Sequence, residues 1–217
     1  MRPARIVPLI QQRIERLAQA ARAHPPVPYP PDDVIGMPPP ADLAACFARR
    51  MDELRAPGDA EPAVLEVADT AAAAAAVRAL VQALSPDEVA WADEGDAAGP
   101  GGGRSGPPRD RRVGVTPASA LIAATGTVVV ELPDRVAGWA SLYVDRHIVV
   151  ADRARLLPDL SSFYRGLAAR RAGGERLPVQ VCITGCSRTA DIEKLLVIPA
   201  HGPRQVRVVL SATPLDW

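Results

Sequence analysis

The chain has 217 residues, 48% of them hydrophobic, which suits one substantial core and argues against a second full domain. Lysine plus arginine (25) balance aspartate plus glutamate (25), so the composition carries neither a basic footprint for nucleic acid nor a polybasic membrane anchor. Three cysteines (Cys46, Cys182, Cys186) and three histidines (His24, His147, His201) are too few and too scattered for a dedicated metal site, and the thiolates fall short of an iron–sulfur cluster's usual set.

The N-terminus sets Arg2, Arg5, Arg13, Arg16 and Arg22 against Glu15 with no apolar run behind them, which is not the pattern of a secretory signal. No stretch approaches the apolar length of a membrane span, so the expectation is a cytoplasmic protein. Ile6, Ile10, Ile14, Leu17 and Ala21 recur at helical spacing and predict an amphipathic helix over 4–22. Prolines then crowd the segment 24–40 and predict an extended linker. Residues 1–40 therefore read as a helix and proline-rich arm, and residues 41–217 as the folded domain.

A helix over 41–55, a strand over 63–67, an alanine-rich helix over 69–84 and a short strand over 89–91 form a β-α-β pattern. The segment 94–108, with Gly99, Gly101, Gly102, Gly103 and Gly106, predicts a mobile loop. It is not a phosphate-binding P-loop, because Arg104 stands where the lysine is needed and Ala98 where the first glycine is needed. Val113–Val115 predicts a strand, and Thr116-Pro117 a helix start that runs to Ala124 and is closed by Gly126. Further strands are predicted over 127–132, 147–150, 179–184 and 205–211, with helices over 158–171 and 189–196. In the first of these helices Leu160, Phe163, Tyr164 and Leu167 share a face, and Gly173-Gly174 ends it. The alternation predicts an α/β fold, a Rossmann-like open and mainly parallel sheet covered by helices. His147 reads as a satisfied structural histidine, and Trp91, Trp139 and Trp217 as packing.

Chemistry concentrates in the strand, polar turn and helix start around Thr184, Gly185, Ser187, Arg188, Thr189 and Asp191. Ligands of open α/β sheets bind outside the carboxyl ends of strands. Free backbone N–H groups there, three hydroxyls and a guanidinium suit a small carboxylate or phosphorylated ligand. Asp191 and Glu193 fall in the first helical turn, so a purely structural capping role is the competing reading.

The run ITGCSRTADIE followed by AHGPRQVRVVL, with VGVTPASALIAATGTVVV upstream, resembles the signatures of the lactate-utilisation C (LutC, LUD-domain) family over roughly 112–211. The chain departs from that pattern at Cys186 (usually proline), Ala124 (often glutamate) and Pro199 (usually glycine). The resemblance implies a sheet like that of the NagB/RpiA/CoA-transferase group and a part in oxidising L-lactate to pyruvate. It adds Thr125, Gly126, His201 and Gly202 to the candidate ligand-binding residues. It also implies LutA-like and LutB-like iron–sulfur partner proteins that hold the clusters, with no cofactor and no metal in this chain.

Three rivals stand beside it. An esterase would use Ser187 as nucleophile and His201 as base, but a helix over 189–196 would carry His201 away from the serine. A small-molecule enzyme of the same fold group would bind a phosphorylated or carboxylate ligand through Arg188. A non-catalytic scaffold would dock its partners through residues 1–40.

Overall fold

The computed structural model describes residues 40–85, 88–92, 111–132, 135–187 and 202–215. The chain divides into two units, Met1–Pro38 and Pro39–Trp217, and every described residue lies in the second. The helix expected over 4–22, the arm up to Pro39, the loop over 94–108 and the helix over 189–196 fall outside these residues.

Helix α1 (Leu43–Glu53) starts where the Asp42 side chain accepts from Ala45 N at 3.0 Å, and it buries Ala44, Phe47 and Met51 on one stripe. Strand β1 (Val64–Val67) leads into α2 (Thr70–Val81), capped in the same way by Asp69 on Ala72 N at 2.8 Å. Then come β2 (Val89–Trp91), β3 (Val113–Pro117), β4 (Ala120–Ile122) and β5 (Thr127–Leu132). Helix α3 (Arg135–Leu142), β6 (Arg146–Asp152), β7 (Leu156–Leu157), α4 (Leu160–Ala172), β8 (Val179–Thr184) and β9 (Gln205–Ser211) complete the order.

The strands make two sheets. Five parallel strands run in the order β1-β9-β6-β3-β2, and a mixed sheet runs β7-β4-β5-β8. In the mixed sheet β5 is antiparallel to both β4 and β8, while β4 and β7 are parallel. Two neighbouring strands pass from one sheet to the other together: β3 continues as β4, and β6 continues as β7 through a 3-10 turn over Arg153–Arg155 capped by Asp152.

Alternation along the strands sorts the core into layers. Val113, Val115, Ile148, Val150 and Val209 face α2 through Ala73 and Val77. Val149, Val206, Val208 and Leu210 face the other way, onto α1 and onto Leu121, Val128 and Val130 of the mixed sheet. Ala120, Ile122 and Val129 look outward from that sheet onto Phe163 of α4. The layers are thus α2, parallel sheet, mixed sheet with α1, and α4. Fully buried side chains such as Phe47, Leu121 and Leu210 each contribute about 1.5–3 kcal/mol by leaving water.

One close approach holds α3 to the sheet. A Cβ on Gly114 would lie 1.7 Å from Ala140 O, so only glycine lets the helix backbone sit on β3 at that point.

Several expectations need correction. The helix over 116–124 does not form: Thr116 and Pro117 stay in β3, level with Val149 and Val150, and 120–122 is β4. The Thr116 hydroxyl lies 2.7 Å from His147 Nε2 instead of capping a helix. Gly126, at φ +66, closes the turn between β4 and β5, with Gly126 N donating to Ile122 O at 2.9 Å. The single, mainly parallel sheet is two sheets, because β5 and β8 pair antiparallel. Tyr164 is 47% exposed and does not share the buried face of Phe163. Helix α3 is absent from the expected elements.

Candidate functional site

The turn after β8 and the turn before β9 meet. Gly185 reverses the chain at φ +75. Ser187 N then donates to Pro203 O at 2.9 Å, and a Cβ on Gly202, whose φ is +112, would lie 3.6 Å from Ser187 Cβ and from Leu142 O. Gly202 and Pro203 thus lie against Ser187, while His201, which the helix expected over 189–196 would carry away from the serine, lies outside the described residues. Nor is the Ser187 N–H free for a ligand, as a helix-start anion site would require.

Beside this junction runs a chain of hydroxyls. Thr125 Oγ1 lies 2.7 Å from Thr127 Oγ1, which lies 2.8 Å from Thr184 Oγ1. The antiparallel register Thr127↔Thr184 places the last two opposite one another. Helix α1 packs over the Thr125–Gly126 turn: a Cβ on Gly126 would meet Arg50 Cβ at 3.0 Å and Leu54 Cδ1 at 3.1 Å. Cys186, buried at the position of a family departure, directs its thiol toward Leu54 O at 3.6 Å. Ala124, a second departure, is exposed beside Thr125, where a longer side chain would have room.

The structure thus brings together Thr184, Gly185, Ser187 and Gly202, and ties Thr125 and Gly126 to them through Thr127. Arg188, Thr189, Asp191 and His201 lie outside the described residues. Sequence reasoning misses Thr127, Leu54 and Pro203. Thr127 reads locally as an ordinary β-branched strand residue, and only the pairing of β5 with β8 reveals its role. The site is not at a carboxyl end of the parallel sheet as expected: β8 belongs to the mixed sheet, and Gly202-Pro203 leads into the amino end of β9.

Two further features bound the chemistry. His147 is fully buried, and burial pushes its pKa down to about 3, so the imidazole is neutral. Its Nε2 meets Thr116, but its Nδ1 has no partner among the described residues, so it is structural and only half satisfied. No group of three or more His, Cys, Asp or Glu side chains among the described residues could hold a metal ion. An open cleft of about 1040 Å³ at the amino ends of β3, β6 and β9 is lined by none of the expected residues.

Residues 110–211 match the family described as the LUD domain. Lactate utilization protein C of Halalkalibacterium halodurans is 37% identical over 92 residues, covering 42% of this chain and 40% of the relative. Lactate utilization protein C of Exiguobacterium sp. is 34% identical over 100 residues, covering 45% and 43%, and lactate utilization protein C 1 of Bacillus mycoides is 28% identical over 99 residues, covering 45% and 42%. The chain therefore spans about two fifths of the length of these curated relatives. A solved DUF162 family protein from Deinococcus radiodurans superposes with a TM-score of 0.48 at 18% identity, over 79% of this chain and 99% of that one. No described helix is long and apolar enough to cross a membrane.

Proposed function

Residues 110–211 match the LUD domain family, and from that match we propose that this chain is a LutC-like component of an L-lactate oxidation system. The observation that carries the reading is the junction of Ser187 with Gly202-Pro203, which joins two segments that resemble the family's signatures. Around it, the exposed hydroxyls of Thr125 and Thr184, bridged by that of buried Thr127, supply hydrogen bonds for a small carboxylate such as lactate. Arg188 and His201, adjacent in sequence to Ser187 and Gly202, complete the proposed set.

Oxidising lactate to pyruvate removes two electrons and two protons, which an acceptor has to take up. In this reading the acceptor is the iron–sulfur clusters of LutA-like and LutB-like partners. This chain holds no cofactor and binds or positions substrate within a cytoplasmic assembly, on a sheet of the NagB/RpiA/CoA-transferase kind. Dye reduction with L-lactate tests it. The dialysed chain alone gives no turnover, the mixture with both partners does, and Thr184→Ala, Arg188→Ala or His201→Ala lowers the mixture's rate. Robust turnover by the isolated chain overturns the subunit reading.

A second reading draws on the same junction. Because Gly202 lies against Ser187, a hydrolase with Ser187 as nucleophile and His201 as base becomes sterically reasonable. Labelling by a fluorophosphonate in the unmodified protein but not in Ser187→Ala would support it over the first.

A further inference from the structure

We propose that the cleft at the amino ends of β3, β6 and β9 is a second binding site, which takes a small phosphorylated molecule on Arg112, Arg146 and Arg204. Arg146 opens β6, and Arg112 and Arg204 immediately precede β3 and β9, whose first residues Val113 and Gln205 stand level with Arg146. Adjacent strands lie about 4.8 Å apart, so the three side chains start from a row roughly 10 Å wide, suited to a phosphate and the group attached to it.

The row is held rigidly by its own backbone. Asp145 N and Arg146 N both donate to Arg112 O, at 2.9 and 3.0 Å, while Arg204 N and Gln205 N donate to Asp145 O, at 2.8 and 3.2 Å. Arg146 Nε is further fixed by Gln205 Oε1 at 2.9 Å. Such a rim loses little freedom when it closes on an anion.

Charge favours an anion as well. Two acids line the cleft, Asp59 and Asp145, but Asp59 is engaged at 2.5 Å by Arg207, whose side chain is 1% exposed. Arg112, Arg146 and Arg204 then share the lining with one remaining acid, Asp145, and Glu88 is only loosely paired to Arg112 at 3.5 Å. No partner for the Arg204 side chain is found among the described residues. Guanidinium forks match phosphate oxygens in pairs, and several of them suit a dianion better than a single carboxylate. The volume of about 1040 Å³ exceeds what an inorganic ion fills, and Leu80 and Leu84 supply an apolar wall for the rest of the ligand.

The site shares no residue with the Ser187 junction, so it stands or falls apart from the lactate reading. Calorimetric titration with inorganic pyrophosphate, against sodium chloride at matched ionic strength, tests it. The unmodified chain should bind saturably with a Kd below about 1 mM. Arg112→Ala and Arg204→Ala should each weaken binding about tenfold, Arg204→Lys less, and the double alanine variant should abolish it. Arg171→Ala, an exposed guanidinium on α4, and Thr184→Ala should leave it unchanged. A measurement on the unmodified chain guards against misfolded variants: pyrophosphate should slow phenylglyoxal modification of Arg112, Arg146 and Arg204 selectively. Absence of saturable binding, binding that survives the double substitution, or protection that falls on other arginines would overturn the proposal.

Discussion

Arg207 in the parallel sheet and Arg170 beside the mixed sheet each face two carboxylates, and their surroundings give the same chemistry different weight. Arg207 is 1% exposed, and its close partner Asp59 is 5% exposed. Burial alone would raise the Asp59 pKa, yet the Arg207 hydrogen bond and charge outweigh it and hold the carboxyl below its ordinary value. Arg170 reaches Glu131 at 2.7 Å and Glu175 at 2.6 Å with its side chain 38% exposed, so water and salt compete for all three groups. The difference teaches that a buried pair is a commitment of the fold: neither partner can be removed without stranding the other.

The largest effect should come from breaking the buried pair. Arg207→Ala should cost about 3–5 kcal/mol in urea unfolding, because Asp59 is left charged and buried. Replacing both residues by leucine should recover much of that loss. A loss for Arg207→Ala as small as that of a surface substitution would erase the contrast.

Next comes the seam of α3 against the sheet. Gly114→Ala forces a methyl into Ala140 O and should cost about 3 kcal/mol, at the upper end for overpacking, since backbone and not a flexible side chain has to move. If the variant melts like the unmodified protein, α3 does not sit where described.

His147 extends the comparison to a buried group with no countercharge. Its folded pKa of about 3 lies below the ordinary 6.5, so the unfolded chain takes up a proton that the folded chain refuses. The stability present above pH 6.5 should therefore fall as pH drops, by about 1.4 kcal/mol per unit. The carboxyls held low, Asp59, Glu88, Asp159 and Glu175, begin to contribute only near or below their ordinary values of 3.8–4.5. Among the described residues, the window from pH 6.5 to 5 thus isolates the histidine. Urea midpoints across it should slope in the unmodified chain and flatten in His147→Gln; equal slopes would contradict the assignment.

The smallest effect belongs to Arg170. Arg170→Ala should barely move the urea midpoint at physiological salt, and the residual difference should disappear in about 1 M salt. A loss comparable to that of Arg207→Ala would mean that exposure does not separate the two regions.

The candidate site is partly legible in the amino-acid sequence. Thr184, Gly185, Ser187 and Gly202 stand out as polar and glycine-rich turns at strand ends, and they do lie together. Their geometric context is not legible there. A Thr-Pro pair is a good helix start only where its hydroxyl meets a helical N–H, and here Thr116 is turned toward His147 by strand pairing. The same local signal conceals β4, and with it the mixed sheet that holds Thr127 against Thr184.

What the amino-acid order determined on its own was the local elements: β8 and β9 are expected at their observed bounds, and α1, α2 and α4 within a few residues of theirs. Alternation and helical spacing arise between near neighbours, so they are written along the chain. Which strand lies beside which was decided only by tertiary structure, because backbone hydrogen bonds between strands carry no residue code. The Ser187–Pro203 contact, the threonine chain, the row of Arg112, Arg146 and Arg204, and the Arg207–Asp59 pair, 148 residues apart in sequence, all follow from that pairing.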